Sequence, residues 1–455
     1  MYYHKLRYYW RFILALIRKY FLKIISFVLL ISVVFLLTPK LLYIFPKFHT
    51  IIRIGVVGRY SLSNLPLFIQ NKLSIGLTTL DPLGKPSPGA ADSWESTDSG
   101  KIYTFHLRPQ LYWSNGQPLK SSDINLNYKD LSLTYPDDST LKISLKEPYS
   151  PLTTVFSKPL IKIQSGNWFR KSSFLTLGGY KLSSFRQRGG VLDSLNITPV
   201  KSTGNLPKIT YRFYSNADTA ITALKLGEIT SLENLSEQGD ITAWSNIIVT
   251  PKVSYDKFIG VFYNTADPLF SGPSGKNLRL ALTYAIDKTR WDNRAFGPIY
   301  PNSWAYLSDI KTYNQDMDKA LSLIKKVEKL PDPLVLYVLP AYFKVADQVK
   351  SDWEQLKIKV DIVTTTNLSV NYQVLLLAQN IPIDPDQYNL WHSRQENSNL
   401  SKINNPRIDK LLEDGRKETD LEKRRFIYSE FQKYLLDECP AAFLYYPVTY
   451  TLHKD

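Results

Sequence analysis

Residues 89–124, GAADSWESTDSGKIYTFHLRPQLYWSNGQPLKSSDI, hold the densest structural pattern in this chain. Tyr103, Phe105 and Leu107 alternate with Ile102, Thr104, His106 and Arg108, the period-2 signature of a strand with one buried face. Ser99-Gly100 turns the chain into that strand. Asn115-Gly116, two residues that tolerate positive φ, lies between the apolar residues 111–113 and Pro118-Leu119. The stretch therefore predicts a strand, a tight turn and a second strand.

Around it, a chain of 455 residues is long enough for more than one core, and 13% aromatic against 21% charged residues describes a folded protein. One cysteine, Cys439, excludes an intrachain disulfide. Of the net charge of +15, eight positive charges precede Thr50 with no acid among them, so the remainder carries +7. That excess, with no nucleic-acid motif beside it, reads as a solvated surface and excludes nucleic acid as a partner. Residues 1–20 form a basic cytoplasmic or interfacial segment, in which Leu6, Trp10, Ile13 and Ile17 share one helical face. Residues 21–43 contain the uncharged run 24–39 and predict one transmembrane helix, the flanking positive charge keeping the amino terminus cytoplasmic. No A-x-A pattern follows the run, so an uncleaved anchor is expected.

Downstream, IIRIGVV at 51–57 reads as a buried opening strand and residues 217–226 as a helix ended by Gly227. Val345, Val349 and Trp353 define a buried helical face. Asn405-Pro406 opens one helix, and the T-x-x-E box of Thr419 and Glu422 opens another with Ile427, Phe431 and Leu435 as its buried stripe. Residues 441–451, AAFLYYPVTYT, read as one closing strand.

Motifs for catalysis are missing. The chain has no G-x-S-x-G, no phosphate-binding G-x-x-x-x-G-K-[ST] and no H-E-x-x-H, and its five histidines never stand at i,i+3 or i,i+4. S-x-x-K recurs, at Ser139, Ser254 and Ser322 among others, as chance gives for so short a pattern. Neither an enzyme nor a cofactor is expected, and His392 beside Trp391 is the single candidate for a metal assembled across a cleft.

Ala91, Ser93, Trp94, Glu95, Tyr103, Thr104, Phe105, Leu107, Arg108, Gly116, Pro118, Leu119 and Asp123 resemble, in order, the signature of extracellular solute-binding proteins of the oligopeptide and dipeptide class. Gln110 and Asn115 replace that signature's usual Gly and Asp, and residues 123–137 are shorter than in typical members. Further matches are Gly178-Gly179-Tyr180, IGVFYNT at 259–265, NLRLALTYAIDK at 277–288, GPIYPNSWAY at 297–306 and VLLLAQNIPIDPDQYNLWHS at 374–393. The resemblance implies an α/β, two-lobed periplasmic-binding-protein-like fold with a ligand cleft between the lobes. Lobe one would span 51–256, lobe two 257–440, and 441–455 would return to lobe one. It also implies, as partners, a peptide or other small solute and the permease and ATPase subunits of an ABC importer, with the membrane reached through the N-terminal helix. An anchored sensory or interaction protein of the same fold is the alternative. The ligand-binding residues expected from this likeness are Arg59, Tyr60, Trp304, Gln379, Asn380, Ile381, Asp384, Asp386, Trp391 and His392. Where peptide-binding members place an Asp for the ligand's free amino terminus, this chain has Ile381; Asp384 and Asp386 either substitute for it or shape the turn.

Overall fold

The computed structural model describes residues 51–454 apart from 127, 129, 165–172, 202–205, 238–243, 245 and 368–370, and a few residues of 1–50 between Trp10 and Leu29. The chain divides into two units, 1–50 and 51–455. The described residues of the first are helical and exposed. No helix among the described residues is long and apolar enough to cross a membrane, and the span expected at 21–43 lies largely outside them.

Within the second unit the opening strand Ile51–Val57 is the centre of a seven-stranded sheet. The order is Tyr180–Arg188, Val191–Pro199, Lys208–Tyr214, Ile51–Val57, Ser231–Leu235, Val448–Lys454 and Ile247–Val253. The opening strand runs parallel to both neighbours, which is why it is apolar on both faces. Ile54 and Val56 pack with Ile69 and Leu73 of the helix Leu67–Leu73. The helix Ala217–Lys225 covers the other face, capped by the Asn216 side chain accepting from the Thr219 N–H at 2.9 Å. Gly55 is required there, since a Cβ would stand 2.4 Å from Ile229 Cδ1.

A separate four-stranded sheet, in the order Ala91–Thr97, Ile102–Leu107, Thr140–Leu145 and Leu131–Asp137, carries its own core of Tyr103, Phe105, Leu107, Leu141, Ile143 and Phe156. The short 123–137 stretch thus still supplies a strand to this module. The Asn115-Gly116 turn forms, with the Trp113 N–H on the Gln117 carbonyl at 2.8 Å and Gly116 at φ 86°. The second strand expected after it does not. It is a single bridge between Tyr112 and Pro118, because proline has no N–H with which to continue a ladder. Gln110, where the resembled signature has Gly, sits at φ 60°, a conformation that glycine adopts without strain.

The second lobe is built on a five-stranded sheet in the order Val360–Thr364, Leu334–Val338, Val374–Asn380, Lys257–Tyr263 and Ala441–Tyr445. Helices Gly272–Ala285, Phe343–Glu354 and Leu421–Glu438 join its core through Leu278, Leu282, Val349, Trp353, Phe431 and Leu435. Two expectations need correction. The closing segment 441–455 is two strands: Ala441–Tyr445 stays in the second sheet against Lys257–Tyr263, and only Val448–Lys454 enters the first. Pro447 breaks the ladder between them. The last long helix is capped by Asp420, which accepts from the Lys423 N–H at 2.9 Å, not by Thr419. Its buried face holds Arg424, Tyr428, Phe431, Gln432 and Leu435, turned from the stripe that Ile427 would begin.

Candidate functional site: the cleft at the lobe crossing

The register of the two sheets defines where a solute would meet the chain. In the first, the parallel strands end at Val57, Tyr214 and Leu235, and the neighbouring strand ends at Val253. From there the chain crosses to Lys257, the start of a strand in the second sheet, and it returns from Tyr445 to Val448. In the second sheet the strands ending at Val338, Asn380 and Tyr445 finish at that same crossing. Both sheets therefore present strand ends to the two linkers, the position at which open α/β sheets bind ligands. The linkers are tied together: the Ser254 N–H donates to the Pro447 carbonyl at 2.8 Å, and Tyr255 meets Tyr446 edge to face at 5.0 Å.

On the first lobe this end carries Gly58, Arg59 and Tyr60. Gly58, at φ 134°, lets the chain fold back so that the Tyr60 hydroxyl donates to the Val57 carbonyl at 3.3 Å and its ring meets Phe213 at 5.5 Å. A Cβ at Gly58 would lie 2.7 Å from the Tyr60 ring. Arg59 is exposed. On the second lobe Gln379 is half-buried, Asn380 exposed and Ile381 buried, and the Ile381 N–H donates to the Asp256 carbonyl of the linker at 2.7 Å. Beside them stands an aromatic group that sequence reading missed: Trp291 stacks on Tyr445 at 5.2 Å, and both are half-buried, as is Tyr342. Burial, reinforced by the neighbouring Tyr342, pushes the Tyr445 hydroxyl up to about 12, so it remains a neutral donor at physiological pH. The Tyr446 hydroxyl is a buried donor with no partner among the described residues. With 30 tyrosines in the chain, nothing in the sequence singled out these few; the register of the second sheet does.

The remaining expected residues lie elsewhere. Asp384 is 7% exposed, and its carboxylate is held by both terminal nitrogens of Arg424 and by the Thr154 hydroxyl at 3.0 Å. Asp386 binds Arg416 Nη2 at 2.8 Å, with the guanidinium over the Tyr388 ring at 4.0 Å. Asp384, through Thr154, and Arg416, through Tyr149, join the second lobe to the 149–154 segment, where the Ser150 N–H also donates to the Arg416 carbonyl at 2.8 Å. Their charges are answered within the protein. Trp304 is buried against Tyr428 and Arg424, its backbone N–H donating to the Leu83 carbonyl at 2.9 Å while its indole Nε1 has no partner among the described residues. Trp391, 1% exposed, packs on Phe262 and Phe443 in the second core. His392 is buried on Tyr388 with Nε2 3.3 Å from Glu413, and its Nδ1 accepts from the Arg394 N–H. No group of side chains suited to holding a metal occurs among the described residues.

A two-lobed α/β chain joined by two linkers, with the strand ends of both sheets turned toward them, is the architecture of a solute receptor. Residues 85–400 match the model of the bacterial extracellular solute-binding proteins, family 5 (middle region), and the chain belongs to that family. The oligopeptide-binding protein OppA of Bacillus subtilis is 23% identical over 448 residues, covering 82% of this chain and 81% of that protein. Among solved structures, the ABC transporter substrate-binding protein CtaP of Listeria monocytogenes superposes with a TM-score of 0.75 at 20% identity, over 90% of this chain and 94% of that one. DppA of Helicobacter pylori, solved in complex with the peptide STSA, gives 0.65 at 17% identity over 90% and 94%.

Proposed function

We propose that this chain is the membrane-anchored receptor of an ABC importer, capturing a peptide or peptide-like solute outside the cell and presenting it to a permease. The observation that carries the reading is the convergence of both sheets' strand ends on one pair of linkers. Rotation about residues 254–256 and 446–447 would close Arg59 and Tyr60 over Gln379, Asn380 and Ile381, exchanging bulk water for solute contacts. Trp291, Tyr342 and Tyr445 supply apolar area on the second lobe. Ile381 places an apolar side chain where a free ammonium would need a carboxylate, and Asp384 and Asp386 are already committed to Arg424 and Arg416. An ammonium there would lose hydration and gain no partner. The solute accordingly lacks a free amino terminus at this point: a blocked peptide or a neutral, partly apolar molecule. Calorimetry on residues 51–455 with matched free and acetylated peptides tests this, with Ile381→Asp reversing the preference. A preference of the unmodified protein for free amino termini by more than about tenfold, or about 1.4 kcal/mol, would sink it.

A further inference from the structure

Residues 148–217 contain ten Lys and Arg against a single acid, Asp193. Apart from these and residues 1–50, the chain has a net charge of −2, so the positive excess of the folded unit resides in this stretch. The sheet register gathers much of it on one face. Lys181 pairs with Thr198, Arg186 and Arg212 with Ser194, and Arg53 with Thr210, which sets these four cations on one side of the pleat. Lys208 joins them by alternation with Thr210 and Arg212. Leu182, Phe185, Leu195, Ile197 and Tyr211 take the opposite side, in the core beneath the helix Leu67–Leu73. Between the cations runs a polar ladder: the Thr210 hydroxyl donates to Asn196 Oδ1 at 2.7 Å, and Asn196 Nδ2 donates to the Ser184 hydroxyl at 2.9 Å. A shallow depression of about 470 Å³ opens on this ladder, bordered by Arg186, Arg188 and Arg212. Two acids answer the face, Asp193 on Arg188 at 2.9 Å and Glu228 on Arg212 at 2.8 Å. Lys181, Arg186 and Lys208 are exposed and have no acidic partner among the described residues.

We propose that this face docks on the anionic phosphate headgroups of a membrane surface. Phe213 and Tyr214 also line the depression, but hydroxyls, amides and cations predominate, which is unlike the apolar anchored core of a protein–protein interface and suited to a layer of phosphates. The choice of membrane rests on the anchor proposed above. Residues 44–50 alone separate that span from Ile51, a contour of about 25 Å, and Ile51 pairs with Lys208 at the edge of the face.

The test uses residues 51–455, a compact unit by themselves, so its outcome is independent of whether the anchor reading holds. Flotation with phosphatidylcholine vesicles, with and without about one third phosphatidylglycerol, should show retention on the anionic vesicles alone, lost as salt is raised. Lys181→Glu/Arg186→Glu/Lys208→Glu should lower the partition coefficient by about tenfold or more. The exposed triple Lys325→Glu/Lys326→Glu/Lys329→Glu on the other lobe has the same net charge and should retain most of the binding. Equal loss in both triples would reduce the effect to net charge and overturn the proposal, as would equal binding to neutral vesicles. Tighter retention on a duplex oligonucleotide than on vesicles would also overturn it. Circular dichroism of both variants checks that the fold is kept.

Discussion

Asp384 shows how a residue's sequence context and its surroundings can argue for different roles. The D-P-D motif suggested a ligand contact, yet the carboxylate lies between Arg424 and Thr154 with almost no exposure. Asp384→Ala would strand a buried guanidinium, and a loss of about 3–5 kcal/mol is expected in urea unfolding. A tenfold drop in affinity at constant stability would instead return Asp384 to the ligand. Lys288 is the second such residue. It is buried, with its ammonium donating to the Thr283 and Ile286 carbonyls, and burial first, then Arg294, brings it down from 10.5 to about 7. Between pH 7 and 10 the unfolded chain binds this proton and the native one does not, so stability should rise with pH across that window. Below pH 7 both states are charged and the full burial cost stands. Denaturant midpoints at pH 7 and 9 check the slope, and Lys288→Met should flatten it.

At the scale of elements, the strand Ile102–Leu107 was readable because alternation alone sets which side chains are covered. Tyr103 and Phe105 are 3% and 0% exposed, while Thr104 is half-buried. Tyr103→Ala or Phe105→Ala should cost about 3–5 kcal/mol and Thr104→Ala much less; equal midpoint shifts for all three would contradict one-sided burial. The helix Leu421–Glu438 was legible in existence but not in orientation. A search for apolar residues skips Arg424 and Gln432, and these are buried because Asp384 and the Ala305 carbonyl, far away in sequence, satisfy them. The aromatics at the lobe crossing were hidden for a related reason. Trp291, Tyr342 and Tyr445 stand on three separate segments, and only the pairing of the second sheet brings their ends together. The two-strand nature of 441–455 turned on Pro447, whose missing N–H ends one ladder before the next begins.

For the whole molecule, the two lobes follow from chain length and the resemblance, and the family match spans residues 85–400. The first 50 residues remain the basis for a testable membrane attachment. With an uncharged run at 24–39 and no cleavage pattern, the protein should resist alkaline extraction and keep its amino terminus. A mature product beginning near His49 would contradict the anchor. The first sheet has one further consequence. Ile54 pairs with Ser231, which pairs with His453, and the backbone bonds run on from Arg53 through Thr230 to Lys454. The start of the opening strand and the end of the closing one are thus two strand spacings apart, about 10 Å. A linker of a few glycines would join them, and the chain could then be reopened at the Gly189-Gly190 hairpin tip. Such a circular permutant of residues 51–455 leaves the seven-, four- and five-stranded sheets and both crossing linkers intact, and it would move the open ends of that unit to the rim of the first sheet.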